Sequence, residues 1–154
     1  MKNEINNIRK VRTYLLNAVN DLSVDQLNMI PANFNNNIIW NMAHLIAAQQ
    51  GVCYKRAEKN MYISEDFFNA YKPGSKPEKP ITETEIDEVK KMLFTSLDLL
   101  ETDVDNNSFE GYKTWNTRYD VEIKNINDAV NFIQFHEGLH MGYIMALKKI
   151  VTVR

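Results

Sequence analysis

The stretch Asn131–Ile150, NFIQFHEGLHMGYIMALKKI, decides the fold prediction because it combines an apolar helical stripe with two histidines. Apolar residues recur in it every three or four positions, which is the spacing of a helix packed on a core. His136 and His140 fall on or beside that stripe, one turn apart, so both imidazoles are expected to face the interior. Such a pair is compatible with a metal site, and also with two hydrogen-bonded core histidines.

A third histidine strengthens the metal interpretation. His44 lies in a stretch that is apolar almost all round, residues 38–48, which predicts a helix buried on several sides. If this helix packs against the last one, His44 can meet His136 and His140 in the core. Three neutral imidazoles that leave a position for water form an open metal site. Buried imidazoles without partners would each cost about 1–3 kcal/mol.

Four helices are predicted, and their boundaries follow from periodicity and capping residues. Ser23 and Gln26 predict a short helical turn, one of the asparagines 35–37 predicts a helix start, and Thr82 with Glu85 forms a capping box. Residues 59–71 are ambiguous, 72–80 form a proline-rich loop, and 102–125 form a crossover or lid with an extended piece at 121–123. We predict an all-α protein, a four-helix bundle with a long crossover connection in one domain over 1–154, with helices at 3–21, 38–58, 83–101 and 126–151.

The composition excludes several classes of protein. The chain has 44% hydrophobic and 25% charged residues and a net charge of −2, without a basic block, so we expect no nucleic-acid partner. Its polar start and the lack of a long apolar run predict neither a signal peptide nor a membrane span. The single cysteine, Cys53, excludes an intramolecular disulfide, fits a cytoplasmic location and is expected to be a small core residue.

The string His136-Glu137-Gly138-Leu139-His140 matches H-E-x-x-H, the helix motif of zinc proteases. In the best-known of these proteases the third ligand lies downstream, but no His, Asp, Glu or Cys follows His140. A protease is therefore not expected. Glu137 points about 100° away from His136 around the helix, so we expect it to face solvent, with a supporting role behind a metal ligand as the alternative.

Two segments carry a resemblance to a known family: PANFNNNIIWNMAHLIAAQQ, which contains His44, and HEGLHMGYI, which begins at His136. The chain resembles the DinB-like (YfiT-like) metal-binding four-helix bundles. The resemblance implies that His44, His136 and His140 bind a divalent ion, namely nickel, zinc, iron or manganese, and that the protein forms a homodimer. It does not imply nucleic-acid chemistry.

Characterised members of that family include thiol S-transferases that use low-molecular-weight thiols. The resemblance therefore implies a metal-dependent thiol transferase or hydrolase that acts on a small electrophilic substrate, with a low-molecular-weight thiol as partner. Trp40, Tyr143 and Trp115 are candidates for the pocket wall, although aromatic residues at such positions are more often core residues. A metal-binding or small-molecule-binding bundle without catalysis is the alternative.

Overall fold

The computed structural model describes residues 1–153, and Arg154, the end of the predicted domain, lies outside the described residues. Helices α1 and α3 each pack against both α5 and α6, so the four long helices form a bundle and the all-α prediction is confirmed. The elements within residues 1–153 are α1 Lys2–Val19, α2 Val24–Asn28, α3 Ile38–Cys53, α4 Glu65–Tyr71, α5 Glu83–Asp105, β1 Trp115–Asn116, β2 Glu122–Ile123 and α6 Ile126–Thr152.

The three helix starts with a predicted capping residue follow that local chemistry. Ser23 and Thr82 each form a complete capping box, with Gln26 and Glu85 respectively. Of the three candidate asparagines before α3, Asn37 is the N-cap, and its side chain accepts a hydrogen bond from the Trp40 backbone N–H. Each of these caps satisfies backbone donors that the first helical turn leaves unpaired.

Two helix ends differ from the prediction by about one helical turn or more. The helix predicted over 38–58 ends at Cys53 and is followed by a 3-10 turn, Lys55–Ala57, whereas α5 extends past 101 to Asp105. Residues distant in sequence contact the end of α3, since Gln50 Oε1 accepts the backbone N–H of Tyr62 at 2.8 Å and the Val52 carbonyl accepts the Tyr112 hydroxyl at 2.6 Å. Glycine or proline often marks the end of a helix in a sequence, but neither follows Cys53 directly. The end of α3 is instead associated with these tertiary contacts.

The two connections that periodicity left unassigned contain small ordered elements. The ambiguous segment 59–71 includes α4, which Ser64 caps through a bond from the Phe67 N–H. The predicted extended piece at 121–123 contains β2, which pairs antiparallel with β1 so that Trp115 lies opposite Ile123. Strand β2 contacts α6, and the crossover therefore lies against the helix that carries two of the histidines.

The core consists of two apolar clusters with a polar layer between them. One cluster contains Leu15, Leu93 and Leu147, and the other contains Ile8, Leu97 and Ile133. Between them, each long helix contributes a buried polar side chain, and these are Arg12 from α1, Gln49 from α3, Ser96 from α5 and Glu137 from α6. Buried polar groups need partners, so this layer constrains how the four helices align.

Helix α3 is the most enclosed helix, being buried at every position from Ile38 to Gln50. Its apolar residues fit that environment, and its buried polar residues, Asn41 and His44 among them, make specific hydrogen bonds. Within residues 1–153, no helix is both long enough and apolar enough to cross a membrane.

Candidate metal centre

The packing of α3 against α6 brings the three histidines together. His44 comes from α3, and His136 and His140 come from successive turns of α6. Their ring centroids are 4.5–5.1 Å apart, and one nitrogen from each ring lies within 4.8 Å of the other two. His44 and His136 are buried and His140 is half-buried. All three predicted ligand residues therefore face one point in the bundle.

Hydrogen bonds on the far side of two rings determine which nitrogens face that point. His44 Nδ1 lies 2.6 Å from the Tyr71 carbonyl oxygen, which can only accept, so Nδ1 carries the proton. His140 Nδ1 lies 2.8 Å from Asn41 Oδ1. Asn41 Nδ2 donates to the Asn37 carbonyl at 2.7 Å, which orients the amide so that Oδ1 accepts from His140. In both neutral rings, Nε2 therefore holds a free lone pair.

The spacing of the rings fits a divalent cation. Nε2 of His44 and Nε2 of His136 are 3.2 Å apart. Two nitrogens that bind one ion tetrahedrally at about 2.0–2.1 Å are separated by about 3.4 Å. Among residues 1–153, no group partners the buried Nδ1 of His136, so this ring can carry its proton on either nitrogen. The three residues can therefore present three Nε2 lone pairs to one ion.

Burial keeps the three rings neutral, which is the form that binds metal. Burial, reinforced by His140 and His44, lowers the pKa of His136 to about 3. Burial, reinforced by His44, lowers the pKa of His140 to about 4. Burial also lowers the pKa of His44, against the opposing effect of its bond to the Tyr71 carbonyl. The charged imidazolium forms are thus disfavoured at neutral pH.

The three aromatic candidates lie in different places around the centre. Trp40 stacks on the His44 ring with centroids 4.8 Å apart and planes 11° apart, so it supports a candidate ligand directly. Trp115 lines a cavity of about 560 Å³ that reaches His136. Tyr143 packs edge-on against Phe34 at 5.8 Å. A larger cavity of about 830 Å³ is lined by Trp40 and the loop before α5, and none of the three histidines lines it.

Glu137 is buried, so the expectation that it faces solvent is wrong. Its carboxylate is 1% exposed and accepts hydrogen bonds from Arg12 Nη2 at 2.6 Å and Nε at 3.1 Å. The partner lies 125 residues earlier on α1, so the sequence of α6 alone does not identify what pairs with the buried carboxylate. Cys53 is buried, as predicted, and burial raises the pKa of its thiol to about 12. It is therefore a protonated core residue at neutral pH.

Comparison with known families shows a match over most of the chain. The family model described as the DinB superfamily matches residues 7–144, which include all three histidines. Comparison with curated proteins gives no match. The family match covers most of the chain and agrees with the helical bundle and with the histidine cluster between α3 and α6. The chain therefore belongs to the DinB superfamily.

Proposed function

We propose that His44, His136 and His140 bind one divalent metal ion, and that the protein is a metal-dependent thiol S-transferase or hydrolase for a small electrophilic substrate. The convergence of three imidazoles whose buried surroundings keep them neutral is the observation that carries this proposal. Nickel, zinc, iron and manganese all accept imidazole nitrogen, so the donor set alone does not select among them.

Groups of the chain itself fix the orientation and the protonated nitrogen of two of the rings without a bound ion. The Tyr71 carbonyl holds the proton of His44 on Nδ1, and Asn41 does the same for His140. Partners of this kind orient a ligand ring and raise its basicity. Trp40 covers one face of His44 and limits its rotation. A divalent ion held in such a site lowers the pKa of a thiol or a water molecule bound beside it.

The composition of the cluster favours an open site over a closed structural one. A structural zinc site normally has four protein ligands, whereas the group of residues able to hold a metal comprises the three histidines alone within residues 1–153. The nearby Glu137 carboxylate is engaged by Arg12. The cavity beside His136 provides a route by which a small molecule can approach. These features support substrate access to the centre.

Metal analysis of the purified protein tests the ligand assignment. We expect about one divalent ion per chain. Loss of a hydrogen-bond partner behind a metal ligand typically lowers metal affinity by roughly 10–100-fold, and we expect His44→Ala, His136→Ala and His140→Ala each to lower it by more than this. Asn131→Ala, at an exposed position of α6, is the control and should keep full metal content. A histidine variant that retains wild-type affinity would refute the assignment of that residue.

Turnover requires a separate measurement. The metal-loaded protein is incubated with a low-molecular-weight thiol and a chlorinated aromatic electrophile, and thioether formation is followed by chromatography. We expect a rate above that of the His136→Ala variant at equal protein concentration. Equal rates for both proteins across several thiols, despite full metal loading of the wild type, would support the alternative of a metal-binding bundle without catalysis.

A further inference from the structure

The cavity beside His136 has a distinct chemical character. It encloses about 560 Å³ between α3, α4, the β1–β2 hairpin and α6, which is within the range of small-molecule sites. Four aromatic side chains form much of its wall, namely Phe68, Trp115, Tyr119 and Phe132. Its charged lining residues are Lys55, Arg56 and Arg118, all cations, so the cavity combines an apolar wall with a positive potential.

Two of the three cations are available to a ligand. Lys55 lies 3.5 Å from the Glu65 carboxylate and is partly neutralised by it. Arg56 stacks over the Trp115 ring at 4.4 Å from its centre, which orients the guanidinium without neutralising it. Within residues 1–153, neither Arg56 nor Arg118 has a carboxylate within 4.0 Å. The cavity therefore holds uncompensated positive charge.

Arg118 occupies a defined position in the turn between β1 and β2. The Thr117 N–H donates to the Val121 carbonyl at 2.9 Å, and Thr117 Oγ1 accepts from the Tyr119 N–H at 3.3 Å and the Val121 N–H at 3.2 Å. Thr117 is itself buried and lines the cavity. These bonds hold the turn so that Arg118 lies at the cavity rather than in a freely moving loop.

Arg118 also lies close to the histidine cluster. Arg118 and His136 both line the cavity, so the guanidinium and this imidazole border the same space. An anion at Arg118 would therefore lie within electrostatic range of the proposed metal centre. The remaining wall, including Ala47, Ala48 and Gly51, carries no charge to oppose it.

We propose that this cavity binds a small organic carboxylate that carries an apolar, aromatic group, with the carboxylate on Arg118 and the aromatic group against Phe132 and Trp115. Guanidinium is suited to a carboxylate because it offers paired donors in a planar fork. The proposal rests on the proposed function, because it identifies the substrate class that the cavity would bring to His136. It adds a specificity-determining residue outside the histidine cluster.

Binding of 4-phenylbutyrate and of its neutral analogue 4-phenylbutanamide tests this proposal. Calorimetric titration is done with both metal-free and metal-loaded protein, because a carboxylate could also bind a metal ion directly. We expect the carboxylate to bind at least tenfold more tightly than the amide in the metal-free protein at low salt. In Arg118→Gln we expect most of this preference to be lost through weaker carboxylate binding, with amide binding unchanged, while Arg56 retains a smaller share of it.

Two further variants make the test specific. Lys91→Gln removes a cation from an exposed position of α5, a helix that contributes no residue to the cavity lining, and should leave the preference for carboxylate intact. Arg118→Lys keeps the charge without the fork and should retain part of the preference. Equal binding of both compounds to the wild type, or a full preference in Arg118→Gln, would overturn the proposal. Metal content is measured on the same samples, so that a failure of the carboxylate proposal can be distinguished from a failure of the metal site.

Discussion

Replacing Arg12 with methionine tests whether the buried ion pair of the polar layer stabilises the bundle. The Arg12 and Glu137 side chains are 0% and 1% exposed, and Nη2 of Arg12 donates to Glu137 Oε1 at 2.6 Å. Nη1 of Arg12 also donates to the Leu93 carbonyl at 2.7 Å and to Ser96 Oγ at 3.2 Å. The substitution removes these bonds and leaves a carboxylate buried without its counter-charge.

The expected loss of stability is large for a single side chain. Removal of one partner of a buried pair costs about 3–5 kcal/mol, chiefly because the remaining charge is uncompensated. For a chain of this length, that corresponds to a decrease in Tm of about 2–4 °C per kcal/mol, or about 10 °C in all. The double variant Arg12→Met/Glu137→Met removes both charges, and we expect it to be close to the wild type or more stable.

Urea unfolding of the wild type, both single variants and the double variant forms a double-mutant cycle that measures the coupling free energy. A chelator is present throughout, because metal binding to the folded state would otherwise add its own stabilisation. Arg9→Met is the matched control on the same helix. Arg9 pairs near the surface with Asp98 at 2.6 Å and with Glu101 at 3.1 Å, and surface pairs contribute about 0–1 kcal/mol each.

Two results would refute the reasoning. The first is a loss of less than 1 kcal/mol in Arg12→Met, comparable with that in Arg9→Met, which would mean that the buried pair contributes no more than a surface pair. The second is a double variant whose loss equals the sum of the two single losses. That sum would show that the two side chains are not energetically coupled in spite of their contact.

Three further predictions concern the histidines and the surface of α6. Asn41→Val removes the acceptor for His140 Nδ1 and should lower metal affinity by about 10–100-fold in chelator competition; unchanged affinity would contradict this. Without metal, the free energy of unfolding should decrease as pH falls below 6.5, by up to about 1.4 kcal/mol per pH unit for each of His136 and His140. Burial lowers the pKa of these two residues in the folded protein to about 3 and about 4. The unfolded chain therefore takes up protons at a higher pH than the folded protein does. Urea unfolding at pH 7 and pH 5 measures this, and a His136→Gln/His140→Gln variant should show a shallower dependence. We propose that the expected homodimer buries the exposed Phe135 and Leu139 of α6 (50% and 45% exposed); sedimentation of Leu139→Lys should then show monomers, and a monomeric wild type would rule out the dimer.

The sequence predicted the features that depend on neighbours along the chain. The helix starts at Thr82 and after Asn37 are determined by side chains within three residues, which is the range of a capping interaction. The histidines of α6 were placed by their spacing, and His44 by the apolar helix around it. Features made by distant contacts were missed, such as the end of α3 at Cys53, where Tyr62 and Tyr112 bind.

Arg118 illustrates a site residue for which the sequence contained no usable signal. It follows the short strand β1 in a crossover without helical period, and its position depends on hydrogen bonds of Thr117 within the turn. A lone arginine in such a segment is ordinarily a solvated surface residue. Only the packing of the hairpin against α6 brings it to the cavity that reaches His136.

The sequence does contain a signal for the pairing of Arg12 with Glu137, although it is visible only when two helices are considered together. The buried positions of α1 are Ile5, Ile8, Arg12, Leu15 and Val19, so the arginine occupies a core position of a regular stripe. Glu137 likewise follows Val130 and Ile133 on the buried face of α6. A buried charge of each sign on two amphipathic helices predicts that they pair, because either charge alone would be costly.

The ion pair and the histidine cluster depend on the same alignment of α6. Glu137 meets Arg12 of α1, while the adjacent His136 meets His44 of α3 at 3.2 Å between Nε2 atoms. A shift of α6 by one helical turn, about 5.4 Å, would separate both contacts at once. Because an unpaired buried charge strongly disfavours such a shift, the polar layer favours the one alignment in which the histidines of α6 face His44. The pair therefore positions the proposed ligands as well as stabilising the bundle.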